Sequence, residues 1–81
     1  MKTISDVIVE RLCRYMDEQN LTQYKLSQLS NVPFATIKSI MQKRTKSIDL
    51  KTIILLSSGL GIKPCEFIDD DQFCVENLDL D

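Results

Sequence analysis

The sequence predicts an all-α domain of five short helices, and three observations carry that prediction. Gly 2 and Pro 2 in 81 residues are too few for a turn-dense β-sandwich. Apolar residues recur at helical spacing from Ile8 to Ile68. Residues that start helices (Thr3, Thr22, Asp49) alternate with residues that stop them (Asn20, Asn31, Gly61). A chain this long buries only roughly 60–65% of the surface it exposes unfolded. That allows one modest core and little room for an internal catalytic cavity.

The first helix is expected from about Ser5 to Gln19. Thr3 and Asp6 resemble a capping box with the shorter acid, and Ile8, Leu12, Tyr15 and Met16 form its stripe. Asn20 tolerates the left-handed conformation that ends a helix. Thr22 then serves as N-cap of a second helix with Leu26 and Leu29 inward and Ser27 small enough for close crossing; it ends near Ser30, where Asn31 makes the turn. A third helix begins around Pro33, which suits a first-turn position. Ile37, Ile40 and Met41 form its inner face. Advancing about 100° per residue puts Ala35, Lys38, Ser39 and Gln42 on the far side and Phe34 beside Met41.

Residues 43–48 read as a basic loop. Asp49 caps a fourth helix carrying Leu50, Ile53, Ile54, Ser57 and Leu60, which Gly61 closes. Pro64 and Glu66 open a short fifth helix through Phe67 and Ile68. From Asp69 onward no clean period remains. The chain therefore divides into a helical domain, 1–68, and an acidic tail, 69–81.

Composition excludes several functions. With no histidine the commonest general base and metal ligand is missing, so neither an enzyme nor a metal or cofactor site is expected. Cys13, Cys65 and Cys74 leave one thiol over and lack zinc-knuckle spacing. No apolar run approaches the ~20 residues of a membrane span, and the first residues lack a secretory pattern, so a cytoplasmic chain is expected.

The net charge of −2 conceals an uneven distribution. From Gln19 to Ile48 there is no Asp or Glu, while Lys25, Lys38, Lys43, Arg44 and Lys46 lie inside. Residues 1–68 hold ten bases against six acids, +4, and residues 69–81 hold six acids and no base, −6. A basic middle with an acidic end fits a polyanion binder; on charge alone a solvated face fits as well.

Gln23 to Gln42 reads as two helices joined by a tight turn, with Leu26, Val32, Ile37 and Ile40 as the core set. The runs Leu21-Thr22-Gln23, Leu26-Ser27, Ser30-Asn31-Val32, Thr36-Ile37 and Ile40, followed by Asp49-Leu50-Lys51-Thr52-Ile53 and Gly59-Leu60-Gly61-Ile62, resemble the Cro and lambda-repressor-type helix-turn-helix family, also called xenobiotic-response-element-like. The resemblance covers about Ile8 to Ile68. It implies a compact five-helix, lambda-repressor-like domain that binds double-stranded DNA with its third helix in the major groove.

On that resemblance, phosphate contact falls to Gln23 and to Lys43, Arg44 and Lys46. The Thr22 cap, Lys25 and Gln42 lie alongside. Lys25 in a first turn opposes the helix dipole, which makes sense where an anion docks. Base reading falls to Phe34, Ala35, Lys38 and Ser39: Lys38 can donate to guanine and Ala35 can touch a thymine methyl. Phe34 fits either a core rim or a thymine contact. Pro33 stands in place of the usual N-cap hydroxyl, Arg44 of the usual loop glycine and Met41 of a usual acid.

The resemblance implies a transcriptional regulator, expected to be a bacterial or phage repressor acting as a homodimer, with Leu55 exposed on the fourth helix as weak support. Two alternatives stand: an antitoxin that covers a toxin partner through the tail, and a protein-interaction module that lost DNA binding. The acid-free stretch argues against the second. The tail is expected to be mobile in part and to compete with DNA phosphate; its Phe73, Val75, Leu78 and Leu80 equally permit docking on a partner.

Overall fold

Polar side chains start three of the five helices in the computed structural model, which describes residues 1–80. In α1 (Ile4–Gln19) the Thr3 hydroxyl accepts from the Asp6 amide while the Asp6 carboxylate accepts from the Thr3 amide, a complete capping box. Thr22 caps α2 (Gln23–Ser30) by accepting from the Lys25 amide, and Asp49 caps α4 (Leu50–Leu60) by accepting from the Thr52 amide. Pro33 is itself the N-cap of α3 (Phe34–Met41), one position outside its expected place, and gives no side-chain bond. Pro64 opens α5 (Pro64–Phe67). Asn20, Asn31 and Gly61 all adopt the left-handed conformation and end α1, α2 and α4.

The core forms where these helices face one another. Leu12, Leu26, Ile37, Leu56 and Phe67 are fully buried, and each contributes about 1.5–3 kcal/mol through removal from water. The helix-turn-helix set Leu26, Val32, Ile37 and Ile40 is buried as expected. α2 packs on α4, with Gly59 set tightly against Ser30. A Cβ added at Gly59 would lie 2.7 Å from the Ser30 Cβ, so only glycine fits without a shift. Ser27, expected at the close crossing, instead donates its hydroxyl to the Tyr24 carbonyl on its own helix.

Several side chains depart from the sequence reading. On α4 the inward stripe is Ile53, Leu56, Ser57 and Leu60, at i, i+3, i+4 and i+7. Leu50 and Ile54, expected inside, are 67% and 46% exposed, whereas Leu55, expected outside, is half-buried against the core. Leu29 is likewise exposed, because α2 turns one narrow face to the interior.

Residues 69–80 are docked on the helical body, which corrects the expectation of a mobile tail. Two 3₁₀ turns, Asp71–Phe73 and Val75–Asn77, lead to β2 (Leu78–Asp79), which pairs in parallel with β1 (Lys2–Thr3). Leu78 is buried, Phe73 packs on the core, and the Lys2 ammonium donates to the Gln72 side chain at 2.8 Å. Asp81, counted in the tail charge, lies outside the described residues. The radius of gyration, 11.9 Å, is that of a fully collapsed chain of this length, about 12 Å. The fastening is Arg11, buried on α1. Its guanidinium donates to the carbonyls of Phe67 (3.0 Å) and Glu66 (2.7 Å) at the end of α5 and pairs with Asp70 at 3.5 Å. A cation suits a helix C-terminus, and this one holds the point where the tail leaves the domain.

Candidate nucleic-acid interface

The candidate surface centres on the outer face of α3. Ile37 and Ile40 anchor the helix inward, so its period turns Phe34, Ala35, Thr36 and Lys38 outward; all four are exposed, and Ser39 is half-buried. Gln42 is exposed just beyond the helix end.

α2 supplies the neighbouring edge. Thr22 holds the Lys25 amide, and the first-turn amides of Gln23 and Tyr24 have no partner among the described residues, which leaves partial positive charge facing outward. Lys25 is exposed, and Gln23 is half-buried. The two helices meet at their N-terminal ends through Tyr24 and Phe34. Their rings lie 6.1 Å apart at 72°, an edge-to-face pair, with Tyr24 60% and Phe34 43% exposed. Phe34 is therefore no core-rim residue.

The basic loop is held against α1. Lys43 takes the left-handed conformation, φ 59°, at a cost of about 1 kcal/mol for a non-glycine residue. There it closes α3, the Lys43 amide donating to the Ile40 carbonyl and the Arg44 amide to that of Ser39. The position with glycine-like geometry is thus Lys43, one residue before Arg44, where the family resemblance places the loop glycine. The Ser5 hydroxyl donates to the Thr45 carbonyl.

The Lys43 ammonium lies 2.9 Å from an Asp6 oxygen. The Thr3 amide, and beside it Lys43, hold the Asp6 carboxyl down at about 2, and Asp6 in turn raises the Lys43 ammonium above its usual range. Of the basic residues expected at phosphate, Lys43 is committed to a carboxylate. Arg44 and Lys46, like Lys25 and Lys38, are exposed and make no ion pair with the described residues. An open cleft between the loop and the β1–β2 edge is lined by Lys43, Lys46 and Ser47 on one side and Asp79 and Leu80 on the other. The acidic tail thus borders the basic loop.

Sequence reading missed Tyr24 and the holding of the loop by Asp6 and Ser5. Tyr24 sits within the first turn after the Thr22 cap, a position that faces neighbouring chain and solvent; the two anchors act across more than thirty residues, and no local pattern marks them.

Among the described residues no helix is long and apolar enough to cross a membrane. The chain matches no curated protein and no solved structure. A family model described as helix-turn-helix matches residues 14–67, from within α1 to the end of α5 and across more than half of the chain. With α2 and α3 joined at the Asn31 turn and α3 laid open, the chain belongs to the helix-turn-helix family of DNA-binding transcriptional regulators, of the Cro and lambda-repressor type.

Proposed function

We propose that the chain is a sequence-specific repressor of bacterial or phage type that acts in the cytoplasm as a homodimer. The observation that supports this most is the exposed face of α3, with Ala35 and Lys38 outward, flanked by the uncommitted cations Lys25, Arg44 and Lys46. Arg44 and Lys46 neutralise phosphates, the Gln23 edge of α2 hydrogen-bonds to them, and together they set the register on the duplex. Lys38 donates to guanine O6 and N7, Ala35 meets a thymine methyl, and Ser39 reads without strong discrimination. Lys43 contributes mainly through the shape of the loop, because its ammonium is paired.

One domain covers a half-site, so two copies on a pseudo-palindrome give the working form. Leu50 and Ile54, one turn apart on the exposed side of α4, are the apolar contacts available to a second copy, in place of Leu55. Selection of bound duplexes from a random pool tests the proposal: a recovered palindromic consensus is expected, and a pool without enrichment contradicts it.

A second reading, an antitoxin, is favoured by Val75 and Leu80, apolar and exposed on the docked tail. It requires a toxin encoded alongside that co-purifies with this chain and is released when Val75 and Leu80 are made polar.

A further inference from the structure

Tyr24 and Phe34 are two large rings that the fold leaves outside. Neither joins the hydrophobic core, which is closed around Leu26, Ile37 and Leu56 without them. Their mutual edge-to-face contact fixes the Phe34 ring at the N-terminal end of α3, next to Ala35 on the same exposed surface. No carboxylate occurs in the sequence between Gln19 and Ile48, the stretch that carries both rings together with Lys25 and Lys38.

Such a patch is too small for a stable protein interface, which needs roughly 800 Å² from each partner. It is continuous with the face assigned to DNA. In the major groove one base alone presents an apolar group, thymine with its C5-methyl. We propose that Phe34 is a specificity-determining residue that reads a thymine methyl and that Tyr24 is its positioning residue, holding the ring at the angle seen here. This inference rests on the DNA-binding reading above.

The test uses the duplex recovered by selection, with each thymine replaced singly by deoxyuridine. That change removes the methyl and leaves every hydrogen-bonding group in place. Wild-type protein is expected to bind about four-fold more weakly at the position that Phe34 reads in each half-site, beside any position that Ala35 reads, the effect of one buried methyl. Phe34→Ala is expected to lose that discrimination and Tyr24→Ala to reduce it, while Tyr24→Phe keeps it. Wild-type protein that binds the selected duplex but tolerates uracil at every position overturns the inference, as does Phe34→Ala with discrimination intact. Because Ala35 is exposed on the same face, a positive wild-type scan does not by itself assign the methyl to Phe34; where Phe34→Ala fails to fold, Phe34→Gln replaces it, and discrimination intact in that variant overturns the inference. Failure to bind any duplex overturns the DNA-binding reading itself, a result distinct from uniform tolerance of uracil.

Discussion

The carboxylate of Asp6 in the first turn of α1 lies 2.9 Å from the ammonium of Lys43, the left-handed residue that ends α3. One side chain thereby joins the N-terminal turn of the domain to the loop that follows α3. The same carboxylate completes the Thr3 capping box, so it serves helix and loop together.

This link makes the fold sensitive to acid. The Asp6 carboxyl is held down at about 2 in the folded protein against 3.8 ordinarily, and Thr52, through its side chain and then its amide, and the Gln72 amide lower those of Asp49 and Asp70 in the same direction. A depressed carboxyl contributes stability that is fully present above its unfolded value and is lost as pH falls through the folded one. The Tm is therefore expected to hold down to about pH 4 and fall progressively toward pH 2. Asp6→Asn should lower the Tm at neutral pH and shrink that acid drop; an unaltered acid profile contradicts the role of the pair.

Gly59 and Gly61 are expected to respond to alanine for different reasons. At Gly59 the new Cβ meets Ser30 at 2.7 Å, so α2 and α4 must separate, at about 1–3 kcal/mol. At Gly61 nothing lies within 4 Å, and the loss is the left-handed penalty of about 1 kcal/mol. Urea melts of both variants check this; equal losses would mean that the helix crossing is not limited at Gly59.

Truncation after Ile68 should destabilise the domain. It removes the buried Leu78, the β1–β2 pairing and the Asp70 partner of Arg11. Leu78→Ala alone should cost about 2 kcal/mol, the low end of the range for a buried leucine. Removal of the acidic segment should also tighten binding to random duplex, because Asp79 lines the cleft beside Lys46. An unchanged melting curve after truncation contradicts the docked arrangement.

Most of the helical frame was legible because it is punctuated locally. Thr3, Thr22 and Asp49 act within three residues of themselves, and Asn20, Asn31 and Gly61 are the residues that enter left-handed backbone at least expense. The turn of α4 was not legible, because Ile53, Ile54, Leu55 and Leu56 are all apolar and period alone supports two stripes. The tail was misread for a different reason. Its order comes from long-range partners, Arg11 with Asp70 and β1 with β2, while its own sequence shows charge and four apolar residues without a regular period. In the candidate site the outward face of α3 followed from helical period. The Tyr24–Phe34 contact and the Asp6–Lys43 pair depend on how elements meet, which no local window contains.

Substitution separates the two kinds of DNA contact. Lys38→Ala should change which sequences are preferred, at about 1–3 kcal/mol for one base position. Lys46→Ala should weaken all sequences alike and reduce the salt slope by about one. Uniform losses with unchanged preference in both variants would mean that Lys38 reads no base.

The most direct test of the central claim is the salt dependence of binding to a selected duplex. The account predicts retention at low salt with log K falling linearly in log salt concentration, since Arg44, Lys46 and the α2 edge release counterions from phosphate. No retention of any selected or genomic duplex at low salt, by folded protein, would contradict it.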